Sequence, residues 1–355
     1  MVAMSGGVDS SAAALLLKER GYVCAGATMK LFDNGDIADD SPTCCSARDV
    51  QDARSVANKL GIDHYTFNFS DDFRERVIDK FTGEYAAGNT PNPCIDCNRY
   101  LKFGKLLRTA DMMEISHIAT GHYAIIERGE TSGRWLLKKA ADKSKDQSYV
   151  LYMLTQEQLS RTLLPLGEFT KSEAREIASR AGFLNAAKRE SQDICFVPDG
   201  KYIDFIARNG GGGREPGDFI DSSGRIIGRH KGLARYTIGQ RKNLGVSFSE
   251  KLFVISKNAH DNTVTLGRED ELYSKELYAA DFNLISRERI DGEVRTAAMT
   301  RYRQTEYPCT VQDIGGGVVR IVFDEPQKAA AAGQALVLYD GDSVLGGGTI
   351  IGKEI

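Results

Sequence analysis

The chain has 355 residues, of which 41% are hydrophobic and 27% are charged, proportions that are ordinary for a globular protein. No apolar run approaches the roughly 20 residues that a membrane-spanning helix needs, and Met1 is followed almost at once by a polar motif, so we expect neither a membrane anchor nor a signal peptide. The net charge of −3 argues weakly against a nucleic-acid partner but allows local basic patches. Seven cysteines, an odd number, argue against a secreted disulfide scaffold and predict reduced thiols in a cytoplasmic protein.

Helices and strands are predicted to alternate over the first part of the chain. The pattern predicts helices at 12–20, 49–60, 71–85 and 170–181, and strands at 22–28, 64–69 and 115–119. The last helix has Thr170 at its N-cap, Glu173 three residues later and Gly182 beyond its end. Strands that alternate with helices predict an α/β domain with a parallel sheet covered on both faces.

The pattern changes near residue 200, where the four-glycine run 210–213 is typical of a flexible segment. Short β-branched stretches separated by turns follow, and they predict a mostly β half that ends in a small barrel or sandwich. We therefore predict three domains, at 1–200, 201–275 and 276–355.

The first candidate site is the string SGGVDSS at Ser5–Ser11, predicted between a strand and a helix. Free N–H groups at a helix N-terminus attract anions, glycines allow a phosphate close to the backbone, and Ser5, Ser10 and Ser11 supply hydroxyl donors. Asp9 has the wrong charge for a phosphate and is expected to bind Mg²⁺ or to orient the loop. The lysine of a Walker A loop is absent, which argues against a kinase or motor ATPase.

The alternative to a nucleotide site is a Gly-Gly turn capped by serine. The whole string, however, resembles the PP-loop of the ATP pyrophosphatase superfamily. That resemblance implies cleavage of ATP between the α and β phosphates and adenylation of a substrate oxygen. The predicted ATP-binding residues are Ala3, Met4, Ser5, Gly6, Gly7, Val8, Asp9, Ser10 and Ser11.

The second candidate site is the string TPNPCIDCNR at 90–99. Its prolines predict a constrained loop that holds Cys94 and Cys97 before a helix starting near Tyr100. A thiol in such a place can have a depressed pKa, and Cys-x-x-Cys also suits redox or metal roles. A structural zinc would need about four ligands, and the sequence has no second Cys-x-x-Cys. Cys195, taken alone, is typical of a small buried hydrophobic residue.

These strings together resemble the bacterial tRNA 2-thiouridylases (MnmA/TrmU family) over nearly the whole chain. Further matching strings are TMKL at 28–31, CCS at 44–46, ATGHYA at 119–124, KDQSY at 145–149, YTIGQR at 236–241 and YDGD at 339–342. The resemblance implies a Rossmann-like PP-loop domain, a small central domain and a C-terminal β-barrel.

The resemblance also implies a reaction, in which sulfur replaces the C2 oxygen of the wobble uridine of a tRNA anticodon after ATP has adenylated that oxygen. Met29 and Gly121 would contact adenosine. Cys195 would carry the incoming sulfur as a persulfide, and Cys97 would help release the sulfur and then pair with Cys195 as a disulfide. AMP and pyrophosphate would be the by-products.

The RNA contacts are implied in the same way. Asn92, Pro93 and Cys94 would frame the target base, which must leave the anticodon stack to be reached. The implied partners are the tRNAs for Lys, Glu and Gln, and a cysteine desulfurase or a sulfur carrier protein. Further tRNA contacts are expected at His122, Lys145, Asp146, Gln147, Tyr302, Arg303 and Gln334.

Several alternatives remain open from the sequence. Some family members carry an acid where this chain has Cys94, which leaves the role of Cys94 open. Cys94, Cys97 and Cys195 could instead ligate a [4Fe–4S] cluster with one open iron. Other PP-loop enzymes are rivals, among them an amidotransferase synthetase, a lysidine-forming ligase and an argininosuccinate-synthase-like enzyme. A non-catalytic RNA- or metal-binding protein with a vestigial loop is a rival of another class.

Overall fold

A computed structural model describes residues 1–32, 47–188, 194–197, 201–213, 215–245 and 250–352. The Cys44-Cys45 string lies outside these residues. The first domain contains a five-stranded sheet in the order β3-β2-β1-β4-β7, in which every neighbouring pair is parallel. The α/β fold with a parallel sheet is therefore confirmed. The strands are β1 (Val2–Ala3), β2 (Ala25–Lys30), β3 (Asp63–Asn68), β4 (Ile118–Ala119) and β7 (Thr162–Leu163).

Helices cover this sheet because each has an apolar face. In α2, for example, Ala53, Val56, Ala57 and Leu60 are buried at helical spacing and pack with β1 and α1. The N-terminus of α8 is fixed by a capping box between Thr170 and Glu173, as the sequence predicts. The helices are α1 (Val8–Glu19), α2 (Ala47–Leu60), α3 (Ser70–Phe73), α4 (Asp79–Ala86), α5 (Pro93–Asp96), α6 (Leu106–Met112), α7 (Gln156–Ser160), α8 (Lys171–Arg180) and α9 (Tyr202–Arg208).

The predicted loop before Tyr100 is wrong, because helical structure begins at Pro93. Proline is tolerated at the first helical position, where its missing N–H would have no partner in any case. From there α5 continues through a π-helical segment, Cys97–Lys105, into α6. A second π-helical segment, Arg74–Ile78, joins α3 to α4. Both cysteines of the Cys-x-x-Cys motif are therefore in helical turns.

The central domain is built on a four-stranded mixed sheet in the order β10-β11-β8-β9. Its core contains Phe219, Tyr236, Val254, Val264 and Leu266. The strands are β8 (Gly217–Ile220), β9 (Ile226–His230), β10 (Phe253–Asn258) and β11 (Thr263–Gly267).

The C-terminal domain is a closed barrel, since β12 pairs with β17 as well as with β15. The expected barrel is thus confirmed. Phe323, Leu336 and Leu345 are fully buried inside it. Its strands are β12 (Tyr273–Leu284), β13 (Glu293–Met299), β14 (Tyr307–Asp313), β15 (Val319–Lys328), β16 (Ala335–Asp340) and β17 (Ser343–Ile351).

A hairpin of the first domain extends the barrel sheet. Its strands are β5 (Ala124–Arg128) and β6 (Trp135–Lys139), and β6 pairs with β17 through Lys138 and Ser343. The hydroxyl of Tyr149 also donates a hydrogen bond to the carbonyl of Ala335, at 2.7 Å. These contacts fix the barrel against the first domain. Within the described ranges, no helix is both long and apolar enough to cross a membrane.

Candidate active site

The SGGVDSS loop lies between the end of β1 at Ala3 and the start of α1 at Val8. In the sheet, β1 has β2 on one side and β4 on the other, so the chain runs outward in both directions from this point. Ligands of open α/β sheets bind at such a switch point, beyond the carboxyl ends of the strands. Gly7 is the extended N-cap of α1 and makes no side-chain cap hydrogen bond, so the first N–H groups of α1 face this crevice.

The serine hydroxyls have different roles. Ser10 Oγ donates to the Gly7 carbonyl at 3.1 Å and accepts from the Ser5 N–H at 3.2 Å. Ser11 Oγ also donates to Gly7, at 2.9 Å, and accepts from the Asn185 side chain. Ser10 and Ser11 are buried and shape the loop, whereas Ser5 is exposed at its rim. Backbone N–H groups and Ser5 are therefore the donors available to a phosphate.

Two glycines are required by packing around the loop. Gly6 has φ +70°, and a Cβ added there would lie 2.3 Å from the Asp49 carbonyl oxygen at the start of α2. Gly121 follows β4, and a Cβ there would lie 2.7 Å from the backbone carbon of Asp9. Met29, at the end of β2, and the loop-flanking Met4 are both buried. Gly121 thus has a structural reason to be glycine that is independent of any contact with adenosine.

A lysine from a distant helix reaches the loop. Lys171 Nζ lies 2.7 Å from both carboxylate oxygens of Asp9, and the Tyr123 hydroxyl donates to the same carboxylate at 2.8 Å. The Lys171 side chain is only 11% exposed. The loop therefore has a cation beside it although the Walker lysine is absent from its sequence.

A second cation reaches the loop from the segment that leads toward Cys195. Lys188 Nζ pairs with Asp49 and with Asp52, at 2.9 Å from the latter, and lies 3.4 Å from the Gly6 carbonyl. Burial opposes the charge of Lys188, but its hydrogen bonds to the two carboxylates raise its pKa overall. Asn185 donates to the same Gly6 carbonyl, at 2.9 Å. Asn185 and Lys188 therefore hold the chain after α8 against the nucleotide loop.

The two cysteines with predicted catalytic roles belong to one hydrophobic cluster. Cys97 is 7% exposed and begins the π-helical segment, where the carbonyl of Arg99 lies so close to Gly104 that an added Cβ would be 2.8 Å from it. Cys195 is half-buried and packs against the same cluster. Single-turn π segments occur frequently at functional sites. Cys97 and Cys195, which are 98 positions apart in the sequence, thus both contact the large hydrophobic core of the first domain.

Cys94 is placed differently. It is exposed, and its backbone N–H donates to the Asn92 side chain at 3.2 Å. Among the residues that the structure describes, no group of three or more His, Cys, Asp or Glu side chains is arranged to hold a metal ion. The three thiols of Cys94, Cys97 and Cys195 therefore do not form a site for a [4Fe–4S] cluster in this arrangement.

The barrel holds the segment that precedes Cys94. The Thr90 N–H donates to the Ala332 carbonyl at 2.9 Å, and Gln334 Nε2 donates to the Thr90 carbonyl. Arg99 of the π-helical segment pairs with Asp281 of β12. Both ends of the Cys-x-x-Cys segment are thus attached to the C-terminal domain.

An aromatic side chain from the barrel also faces this segment. The Tyr302 hydroxyl donates to the Asp146 carbonyl at 3.3 Å, and the Arg303 guanidinium lies 5.4 Å from the Tyr302 ring centre. Burial raises the pKa of Tyr302, and the nearby Cys94 thiol contributes in the same direction. Tyr302, Arg303, Asp146 and Cys94, all predicted to contact RNA, therefore lie together.

Three residues with predicted RNA contacts, Asp146 among them, make their side-chain hydrogen bonds within the protein. His122 is buried, with Nδ1 2.7 Å from Thr120 Oγ1, and burial keeps its pKa well below the ordinary value. The Asp146 carboxylate accepts hydrogen bonds from the backbone of Ala140 and the hydroxyl of Ser148. Gln147 exchanges two hydrogen bonds with the Tyr123 backbone, at 2.8 and 2.9 Å. Lys145 is half-buried beside them.

Known families match all three domains. A profile described as a tRNA methyl transferase HUP domain matches residues 1–199, a tRNA methyl transferase PRC-barrel domain matches 203–268, and an aminomethyltransferase β-barrel domain matches 274–350. A tRNA-specific 2-thiouridylase MnmA of Clostridioides difficile is 48% identical over 350 residues, 99% of this chain and 97% of that protein. This chain belongs to the tRNA-specific 2-thiouridylase family. The family predicted from the sequence is therefore confirmed.

Other members of the 2-thiouridylase family match equally well. The MnmA of Moorella thermoacetica is 50% identical and that of Acetivibrio thermocellus 49%, each across 99% of this chain and 98% of the relative. Two solved structures overlap more loosely. NMN synthetase from Francisella tularensis is 18% identical, with a TM-score of 0.33 over 56% of this chain and 67% of that one. The U34-tRNA thiolase NcsA from Methanococcus maripaludis, solved with its [4Fe-4S] cluster, is 14% identical, with a TM-score of 0.34 over 58% and 61%.

The sequence analysis missed Lys171, Asn185 and Lys188. A signal for Lys171 was present, because a lysine at the first position of a capped helix opposes the helix dipole and needs a compensating anion. Asn185 and Lys188 belong to no recognisable motif. Their contacts with the loop depend on how the chain folds back after α8.

Proposed function

We propose that this protein is a tRNA-uridine 2-sulfurtransferase that adenylates the C2 oxygen of the wobble uridine and replaces it with sulfur from a persulfide on Cys195. Family membership supports 2-thiolation of a tRNA uridine. The observation that carries the finer assignment is that Cys97 is buried in, and Cys195 packs against, the same hydrophobic core of the domain that holds the nucleotide loop. Rival PP-loop chemistries need no such pair of thiols.

In the first step, the N–H groups at the start of α1 and the Ser5 hydroxyl bind phosphate oxygens of ATP. Met29 and Gly121 flank the adenosine. The C2 oxygen of the target uridine attacks the α-phosphorus, so that pyrophosphate leaves and an O-adenylate forms. The family's use of ATP implies Mg²⁺, which is usually bound by one or two carboxylates together with substrate phosphates, and Asp9 is the loop carboxylate that would hold it. Bound Mg²⁺ neutralises phosphate charge.

Lys171 is placed to supply the cation that the loop lacks. Its amino group is paired with Asp9 in this structure, and it would turn to the β- and γ-phosphates when Asp9 binds Mg²⁺. Lys171→Met should then weaken ATP binding by about tenfold or more, the effect of losing one charge-assisted hydrogen bond of about 1.5–3 kcal/mol. Adenosine affinity should not change, because adenosine has no phosphate. Calorimetric titration with both ligands would measure this.

Lys59→Met is the control for the Lys171 variant, because Lys59 is exposed and its amino group donates a hydrogen bond to the Gly182 carbonyl. A merely structural role for Lys171, holding Asp9 in place, makes a different prediction. The double variant Asp9→Asn/Lys171→Met would then regain ATP affinity, because an amide needs no partner cation. That recovery would refute direct phosphate binding by Lys171.

In the second step, the terminal sulfur of the Cys195 persulfide attacks C2 of the adenylated base. AMP leaves, and the base is joined to Cys195 through two sulfur atoms. The Cys97 thiolate then attacks Cys195 Sγ, which forms the Cys97–Cys195 disulfide and releases 2-thiouridine. Both electrons of the broken S–S bond remain on the sulfur of the base. External thiols must reduce the disulfide before another turnover.

The RNA contacts follow from the same arrangement. Asn92, Pro93 and Cys94 frame the flipped base, and Tyr302 with Arg303 offers an aromatic face and a cation beside them. His122, Lys145, Asp146, Gln147 and Gln334 complete the predicted tRNA contacts. We propose the tRNAs for Lys, Glu and Gln as substrates, a cysteine desulfurase or sulfur carrier protein as donor, and the cytoplasm as the compartment.

The decisive experiment supplies purified protein with unmodified tRNA, ATP, Mg²⁺ and a cysteine desulfurase with cysteine, which delivers sulfur already at the persulfide oxidation level. Digested RNA is then searched for 2-thiouridine by mass spectrometry, with one sample free of metal and another reconstituted anaerobically with iron. We expect thiolation in the metal-free sample. If AMP forms but no thiolated base appears in either sample, the nucleotide site stands and the sulfur-transfer proposal fails.

Replacing Cys94 distinguishes the persulfide mechanism from a mechanism that uses a [4Fe–4S] cluster. Because Cys94 is exposed and outside the cluster that contains Cys97 and Cys195, Cys94→Ala should keep thiolation within about tenfold of the native rate. A [4Fe–4S] enzyme would lose a cluster ligand and with it both the iron content and the activity. Rates and bound iron are measured on the same preparations, with Cys24→Ser as the control.

A further inference from the structure

A cavity of about 1010 Å³ opens on the central domain, outside the nucleotide loop and the cysteine cluster. Four exposed cations line it, two from the turn after β9 and two from the turn before β10. Among the described residues, no Asp or Glu lines the cavity. These four residues, Lys231, Arg235, Arg241 and Lys242, are called the basic cavity below.

The electrostatic surroundings of the basic cavity include the exposed Glu269 carboxylate, whose pKa Lys328 lowers most and Arg241 lowers further. Within the described part of the chain, none of the four is in an ion pair, whereas other arginines of the same domain are paired, such as Arg225 with Asp221 and Arg229 with Asp218. The whole chain has a net charge of −3. Four cations without ion pairs among the described residues line one cavity. The local potential there is therefore positive although the net charge of the chain is negative.

The backbone that carries these cations is fixed by a buried tyrosine. The Tyr236 hydroxyl, 2% exposed as a residue, accepts from the Lys231 N–H at 3.2 Å and lies 3.3 Å from the Leu244 carbonyl, to which it donates. Arg235 Nε donates to the Lys231 carbonyl at 3.1 Å, which leaves the outer edge of its guanidinium open. The Tyr236 hydroxyl thereby joins the two turns by hydrogen bonds on the inner side of the cavity.

The glutamine of the YTIGQR string adds two hydrogen bonds to those that hold the two turns. Gln240 Nε2 donates to the Lys242 carbonyl, and Gln240 Oε1 accepts from the Thr237 N–H, each at 3.0 Å. This string resembles the family, but the catalytic steps use none of its residues. Its glutamine and buried tyrosine shape the turns that carry the cations. The residues of this string therefore shape the basic cavity and take no part in the reaction at the target base.

The basic cavity lies where the central domain meets the first domain. Tyr202 of α9 lines it, and the Tyr202 ring centre is 5.3 Å from that of Tyr85 in α4. After α4 the chain runs through Gly88, which is packed near Lys257 of β10, to the segment held at Thr90. A polymer bound at the target-base segment can therefore extend over the central domain toward the cavity.

The chemistry of the cavity favours a polyanion. Guanidinium groups match phosphate oxygens in a bidentate geometry, and lysine adds a point charge. Protein–protein interface cores are depleted of lysine, and the described lining of this cavity has two lysines and no large exposed apolar side chain. We propose that the basic cavity binds backbone phosphates of the tRNA at a place away from the target uridine. This inference rests on the proposed function and extends it to recognition of the tRNA body.

The test uses the full chain with Arg241→Gln and Lys242→Gln together. The control is Arg225→Gln with Arg229→Gln, which makes the same charge change in the same domain outside the cavity. Affinity for an unmodified tRNA transcript is measured at several salt concentrations. We expect the cavity variant to bind about tenfold more weakly and the slope of log affinity against log salt to fall by about one to two, because each lost phosphate contact removes roughly 0.7–0.9 from it.

Kinetic measurements distinguish this role from a general defect. The KM for tRNA should rise in the cavity variant, while kcat at saturating tRNA and the affinity for ATP should stay as in the native protein. Equal tRNA binding by the cavity variant and the native protein would overturn the inference, and so would an equal loss in the control. Unchanged tRNA binding with weaker capture of an acidic sulfur-donor protein would reassign the cavity to that partner. If the native protein fails to thiolate tRNA, the proposed function fails separately.

Discussion

Cys195→Ser is expected to abolish 2-thiouridine formation, a loss of at least about 10³-fold, as for removal of other catalytic nucleophiles. A serine hydroxyl cannot carry a persulfide, so no sulfur reaches the adenylated base. The nucleotide loop is untouched, so tRNA-dependent formation of AMP and pyrophosphate should continue. Mass spectrometry of the RNA and a pyrophosphate assay measure the two activities in one reaction.

Cys97→Ser should stop the reaction one step later. Sulfur can still be transferred to C2, but nothing then attacks Cys195 Sγ, so the base stays joined to Cys195 through a disulfide. We expect a covalent protein–tRNA adduct that is stable on a denaturing gel and released by dithiothreitol. Cys195→Ser should form no adduct, and Cys24→Ser, which changes a half-buried thiol beside Lys18 and the N-terminus, should behave like the native protein.

Two other results would change the roles assigned to these thiols. An adduct in Cys195→Ser but not in Cys97→Ser would make Cys97 the persulfide carrier. Full thiolation by both variants would exclude covalent catalysis by this pair and would leave the rival PP-loop chemistries standing.

Gly6→Ala is expected to lower the free energy of unfolding by about 3 kcal/mol and to abolish ATP binding, because it adds left-handed backbone strain to a severe overlap. The added Cβ would lie 2.3 Å from the Asp49 carbonyl oxygen, which is backbone and cannot rotate away. Either the loop or the start of α2 must move, and the N–H groups of α1 would then no longer point toward the phosphates of ATP. Thermal unfolding and ATP titration would measure both effects.

Two further glycines separate the contributions to this effect. Gly133 has φ +64° with nothing within 4 Å of an added Cβ, so Gly133→Ala should cost only the conformational strain of about 1–2 kcal/mol. Gly83, exposed in α4, has neither positive φ nor a neighbour, so Gly83→Ala should be neutral or should stabilise by up to about 1 kcal/mol. Both variants should bind ATP normally. If Gly6→Ala resembles Gly133→Ala, the packing against Asp49 is not what requires glycine in the loop.

The alternating elements of the first domain could be predicted because their signals are local. The apolar spacing of α2 and the capping box at Thr170 each depend on residues within a few positions of one another. The loop before Tyr100 was predicted wrongly for a local reason too. Two prolines were taken to exclude a helix, whereas Pro93 occupies the first helical position, which tolerates proline.

The site was predictable only in part. The loop Ser5–Ser11 and the Cys-x-x-Cys motif are short strings, and matching strings elsewhere in the chain supported one family. By contrast, the pairing of Lys171 with Asp9 joins positions 162 apart, and that of Lys188 with Asp49 joins positions 139 apart. No periodicity or spacing rule connects residues at such separations.

The sequence by itself therefore determined the α/β and β domains and the family, because these depend on local patterns and short strings, and it predicted the nucleotide loop and the reactive thiols. Only the tertiary structure decided which cations face the loop, that Cys97 and Cys195 share a cluster, and that the barrel holds Thr90. It also showed that Ser10, Ser11 and Asp146 use their polar groups internally. The physical reason is that burial and long-range hydrogen bonds depend on how distant segments pack, and packing is a property of the whole folded chain.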